Sequence, residues 1–164
     1  MLYWFFRKRF LNRTMPENNT IEIPKIKVVR WIIIHHSACE DSSLSDAQKI
    51  REIHTVERGW ADVGYHYLVE EIHDALEAVV GRPLHLRGAH CLGQNHNSIG
   101  ICLIGNYEEV SPPEEALKIM ARRVIVPLLE IFKLDASAVQ PHNKFGDTLC
   151  PGKFFSMDKL RSYL

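Results

Sequence analysis

The stretch IKVVRWIII at residues 26–34, running into His35-His36, decides how the chain is read. It is rich in β-branched residues and ends in an unbroken apolar run, the pattern of a buried strand. Downstream, Ser45-x-x-Gln48 has the form of a capping box opening a helix, with Ile50, Ile53 and Val56 at helical spacing and Gly59 placed to end it. YHYLV at 65–69, LEAVV at 76–80 and SIGICLI at 98–104 read as further strands, separated by Gly81-Arg82-Pro83 and an irregular His/Gly/Asn-rich stretch at 84–97. Ser111-Pro112-Pro113-Glu114 suggests a second capping box and a long helix. Its apolar stripe is Leu117, Met120, Ala121, Val124, Leu128, Ile131 and Phe132, and Pro127 inside it predicts a kink. A short strand at 137–140, a loop to 155 and a terminal helix from Ser156 complete the pattern. Alternating strands and helices imply one α/β domain, a mixed central sheet flanked by helices, over residues 23–164.

At 164 residues, 46% hydrophobic and 24% charged, the chain has the balance of a single globular domain. No apolar run approaches the ~18 residues of a membrane span. Lys+Arg and Asp+Glu are both 20, but Arg7, Lys8, Arg9 and Arg13 lie in the first fourteen residues. The remainder, with 16 basic and 20 acidic residues, carries a net −4, which argues against a nucleic-acid partner. Residues 1–22 read as a mobile tail; the apolar run Leu2–Phe6 is shorter than the ~7–15 residues of a signal-peptide core and precedes its positive charge. None of the four cysteines forms a C-x-x-C pair. Histidine, with nine copies, is the anomaly, and it is the commonest metal ligand.

Three features fall at element ends, where loops display functional groups. His35-His36 closes the first strand, and adjacent strand side chains point to opposite faces. His142 follows the 137–140 strand, and Cys150 comes eight residues later, before Pro151-Gly152. Two histidines and a cysteine make a plausible three-ligand zinc set with an open fourth position. Spacing alone supports it weakly, since a histidine at a strand end is more often an ordinary polar residue.

The strings around these residues are more specific together than any one alone. IIIHHSA at 32–38, GWADVGYHY at 59–67, GAH at 88–90, NHNSIGICLIGN at 95–106 and PHNKFGDTLCPG at 141–152 occur in that order. Through them the chain resembles the zinc-dependent N-acetylmuramoyl-L-alanine amidases, a family that includes phage amidase-type lysozymes and peptidoglycan recognition proteins. The resemblance covers about residues 26–164. It implies that His35, His142 and Cys150 hold one Zn²⁺, with His36 turned to the opposite face. It implies that Tyr65 donates a hydrogen bond to the developing oxyanion, an interaction whose removal typically costs ~2.7–4 kcal/mol. Thr148 occupies a position where phage members carry lysine and recognition proteins threonine. A neutral hydroxyl there offers roughly half the strength of a charge-assisted bond. His90, Asn95, Asn97 and Arg82 are implied as groove residues for substrate. His54 is expected to be structural, and His66 to face away from Tyr65. No Asp or Glu is marked as general base. Where many relatives turn with Asp-Gly, this chain has Asp74-Ala75, so that turn is expected to be longer or differently shaped.

The implied activity is zinc-dependent hydrolysis of the amide joining N-acetylmuramic acid to L-alanine of the stem peptide. The alternatives are a non-catalytic peptidoglycan-binding module, whose members typically lack the cysteine, and a structural zinc protein, which usually has four protein ligands. The expected partner is peptidoglycan or a muropeptide, met by a monomer. The lack of a recognisable signal peptide fits an endolysin of a phage or prophage, cytoplasmic until released to the cell wall. It fits a bacterial recycling enzyme equally well.

Overall fold

The computed structural model describes residues 22–39 and 46–164. The expected tail over 1–22 and the capping residue Ser45 therefore lie outside the described residues, apart from residue 22 itself. Among the described residues, five strands form one sheet: β1 (Trp31–His36), β2 (Tyr67–Ile72), β3 (Ala75–Val80), β4 (Ser98–Leu103) and β5 (Val139–Pro141). Their spatial order is β3-β2-β4-β1-β5. β1 runs parallel to both β4 and β5, β2 runs parallel to β4, and β3 closes the far edge antiparallel to β2. The helices are α1 (Asp46–Glu52), α2 (Glu114–Ile119), α3 (Val126–Phe132) and α4 (Met157–Arg161).

Strand alternation divides the core between two faces. Ile32, Ile34, Val69, Ile99, Ile101 and Leu103 pack with Leu117, Met120, Val124, Ile125 and Leu128 of the long helical region. Each such buried side chain contributes about 1.5–3 kcal/mol of transfer free energy. On the other face Leu68, Cys102 and Ile104 meet Val63 and the α1 residues Ala47 and Ile50 in a smaller cluster. The N-terminus of α1 is tied to the sheet by Glu70, whose buried carboxylate accepts the Ala47 N–H at 2.7 Å.

Several local expectations shift. β1 begins at Trp31 rather than at Ile26, because residues 25–30 pair only intermittently: Lys25 bridges Leu86, Ile26 N–H reaches the His85 carbonyl and Arg30 N–H that of Asn97. Ser111 does not cap α2. Two consecutive prolines hold the chain extended, Pro113 itself is the capping position (ψ 137°), and no side chain caps the helix. Between α2 and α3 the helix loosens into a π-type segment, Met120–Ile125, ending just before Pro127, so the irregularity falls in the preceding turn. α1 ends in a similar π-type turn, Ile53–Glu57. The β2–β3 turn is short: Ile72 pairs directly with Ala75, and His73 and Asp74 both adopt positive φ (50° and 62°), as a two-residue hairpin requires. Ser156 caps α4 as expected, accepting the Lys159 N–H at 3.1 Å.

Candidate metal centre and active site

Register brings the three candidate donors together from distant parts of the chain. His35 lies opposite Cys102 in the β1–β4 ladder, on the α1 face of the sheet. Ile34 pairs with Pro141 of β5, so the residue after Pro141, His142, emerges beside His35; their ring centroids are 4.4 Å apart. The loop from 142 then folds back, with Asn143 N–H donating to the Cys150 carbonyl at 3.0 Å. The Cys150 thiol arrives 3.6 Å from His35 Nδ1 and accepts the His36 backbone N–H at 3.4 Å. One donor atom from each of His35, His142 and Cys150 lies within 4.8 Å of the others. Two imidazoles and a thiol converging at this spacing suit a tetrahedral zinc ion with one open position.

Protonation is consistent with that donor set. Burial, then the neighbouring His90 and His142, hold His35 well below the ordinary imidazole pKa, and burial also lowers His142. Both rings are therefore neutral at pH 7, as metal ligands must be. Burial pushes the Cys150 thiol up to about 12, partly opposed by the bond from His36 N–H. A coordinated cation would reverse that effect, since a ligating thiol is deprotonated.

Tyr65 forms one wall, its ring centroid 5.2 Å from that of His35. Burial, and then the nearby thiols of Cys102 and Cys150, raise its phenol well above its ordinary pKa, so it stays a donor at neutral pH. The Cys102 thiol itself points to the Leu103 carbonyl at 3.7 Å. His54 stands behind the tyrosine, 5.7 Å away, stacked on Trp60 at 4.6 Å, and its Nδ1 accepts the Gly64 N–H.

The other expected site residues divide. Thr148 is at the site: its Oγ1 accepts the Cys150 N–H at 3.2 Å, leaving the hydroxyl proton free to donate elsewhere. His90 is also there, its Nδ1 3.0 Å from His35 Nε2. Asn95 shapes the loop that carries His90, its Oδ1 accepting the N–H groups of His90 and Cys91. Asn97 meets the chain through its carbonyl, which accepts the Arg30 and Trp31 N–H groups. Arg82 is an internal strut. It is 4% exposed and donates to the carbonyls of Val63, Arg87 and Asp62.

Sequence reasoning gave His66 no place in the site, expecting only that it faces away from Tyr65; it lies fully buried beside His90, ring centroids 5.7 Å apart. Its Nδ1 accepts the Gly100 N–H and its Nε2 bonds to the Leu86 carbonyl. The available signal was alternation: His66, Leu68 and Glu70 share a period of two across β2, and all three are buried.

The chain is also similar to known proteins. Residues 25–153 match the family model described as Amidase_2, N-acetylmuramoyl-L-alanine amidase. The chain is 33% identical over 124 residues to the endolysin of Escherichia phage T7, covering 73% of this chain and 78% of that one. Among solved structures, it is similar to the N-acetylmuramoyl-L-alanine amidase LysC from Clostridium intestinale URNW, with TM-score 0.70, 25% identity, and 87% and 89% of the two chains covered. It is also similar to peptidoglycan recognition protein-LE in complex with tracheal cytotoxin, a monomeric diaminopimelic acid-type peptidoglycan. There the TM-score is 0.71 at 27% identity, covering 84% of this chain and 82% of that one.

Proposed function

The chain belongs to the N-acetylmuramoyl-L-alanine amidase family, and on that premise we propose that it is a zinc-dependent amidase cleaving the bond between N-acetylmuramic acid and L-alanine of peptidoglycan. The observation that carries this reading is the convergence of His35, His142 and Cys150 within 4.8 Å, with Tyr65 against His35. The chemistry a zinc ion supplies when held by such donors is Lewis acidity toward the amide carbonyl and toward water.

The chain's own residues supply the rest. His35 and His142, both neutral, and Cys150, whose thiol a bound cation would deprotonate, would hold the ion. Tyr65, protonated at neutral pH, donates a hydrogen bond to the carbonyl oxygen as negative charge gathers there. Thr148, its oxygen engaged by the Cys150 N–H, presents its hydroxyl proton as a second, neutral donor. Charge stabilisation thus falls mainly on the metal position and Tyr65.

The test is amine release from purified peptidoglycan, with mass spectrometry of the fragments, before and after chelation and zinc restoration. New L-alanine amino termini that vanish with chelator and return with zinc are expected. Zinc-loaded protein that binds muropeptides without releasing such termini would be a binding module instead.

A further inference from the structure

We propose that His90 and Ser98 are positioning residues that fix the tautomer of His35, holding its proton on Nε2 so that Nδ1 faces the other donors as a bare lone pair. The inference rests on the zinc reading above for its purpose, but its argument is hydrogen-bond bookkeeping alone.

Ser98 is fully buried at the start of β4, and its hydroxyl proton is committed to the Gln94 carbonyl at 2.7 Å. A hydroxyl has one proton. Toward His90 Nε2, 3.4 Å away, the Ser98 oxygen therefore acts as acceptor, and Nε2 must carry the hydrogen. A neutral imidazole has one N–H, so His90 Nδ1 is the acceptor. His35 Nε2 sits 3.0 Å from that nitrogen and must donate to it. His35 Nδ1 is then unprotonated, and it is the nitrogen 3.6 Å from the Cys150 sulfur. Reversing the chain would aim the Ser98 lone pairs at the Gln94 carbonyl, which nothing would compensate.

The His90 ring is built in rather than draped over a groove. A Cβ on Gly100 or on Gly88 would overlap it, so both positions leave a slot of the ring's shape. The Asn95 side chain pins the His90 backbone N–H at 2.8 Å, and His66 packs edge-on against the ring. A ring held on this many sides cannot swap its nitrogens freely. Metal-binding histidines commonly take their orientation from a partner on the other ring nitrogen, and losing that partner typically costs about 10–100-fold in metal affinity.

The test uses full-length protein with ¹⁵N-labelled histidine. Long-range ¹H–¹⁵N spectra read each tautomer directly, and chelator competition reads zinc affinity. His35 should carry its proton on Nε2 both without metal and with zinc. His90→Leu should mix the His35 tautomers and weaken zinc about 10–100-fold. His90→Asn, which keeps an acceptor near the Nδ1 position, should recover zinc affinity to within about threefold. Ser98→Ala should fall between them. Wild-type protein with the His35 proton on Nδ1 overturns the proposal. So does a His90→Leu variant with unchanged tautomer and zinc affinity but a raised KM, which would make His90 a groove residue. Should His90→Leu not fold, the wild-type spectrum and the Ser98→Ala and His90→Asn affinities decide alone. A wild-type protein showing the Nε2–H tautomer yet taking up no zinc would support the positioning claim while removing the zinc reading.

Discussion

The two faces of the sheet are built on different principles. On the face covered by α2 and α3, β1 presents Ile32 and Ile34, and the partners are chiefly Ile, Leu, Met and Val, with Ala116, Ala121, Tyr107 and Phe155 among them. On the α1 face the same strand presents His35, and the surroundings are His66, His90, Tyr65, Cys102 and Cys150. The first face is held by area removed from water, which is insensitive to direction. The second is held by directed bonds, many to backbone: His54 to Gly64, His66 to Gly100 and Leu86, Arg82 to three carbonyls. A polar interior of this kind is tolerable only because its groups find partners, since an unsatisfied one costs about 1–3 kcal/mol. The apolar face can absorb change in shape; the polar face cannot absorb change in donor count.

That contrast can be broken from either side. The largest effect should come from Cys150→Ser, which removes a donor without removing core volume. Amide hydrolysis should fall by at least about a thousandfold, while circular dichroism and the unfolding midpoint in the zinc-free state stay near wild type. Retention of activity would detach the chemistry from this cluster. The converse is Leu128→Ala on the apolar face, which should lower stability by about 2–5 kcal/mol in urea unfolding and leave turnover per folded molecule unchanged. Tyr65→Phe should cost ~2.7–4 kcal/mol of transition-state stabilisation, read as kcat with zinc content unchanged.

Acid should weaken the polar face selectively. Burial lowers His66 to about 4 from its ordinary 6.5, so between those values the unfolded chain binds a proton that the native state refuses. The stability this residue contributes is complete above pH 6.5 and is lost as pH falls toward 4, by up to about 3 kcal/mol. Urea midpoints at pH 7 and pH 4.5 check this; equal midpoints would show that His66 is not held neutral. The smallest effect on kcat belongs to Thr148→Val, about 0.5–1.5 kcal/mol or a tenfold loss at most, since the donor withdrawn from substrate is neutral; the lost bond from the Cys150 N–H should show separately, in stability.

The same contrast explains what could be read from the amino-acid sequence. The apolar face was legible because periodicity reports it: Ile32 to Ile34, SIGICLI, and the stripe from Leu117 to Leu128 each announced their element. The donor set was legible only through whole strings of residues, because His35 and His142 carry no sign of each other until β1 and β5 pair. The place of Arg82 was not legible for a related reason. A Gly-Arg-Pro string does not reveal whether a guanidinium faces solvent or three inward carbonyls. The π-type turns at Ile53–Glu57 and Met120–Ile125 left no mark at all, as one extra residue in a helical turn barely disturbs the apolar spacing.

The separation of the donors along the chain also sets a timetable. His35 is made more than a hundred residues before His142 and Cys150, and parallel pairing of β1 with β5 brings them together. Parallel pairing between distant segments is intrinsically slow, because the loop must close before the contacts reward it. A nascent chain that has not yet reached Cys150 thus holds at most two of the three donors. On the zinc reading, the full donor set can take up metal only once Cys150 has been made.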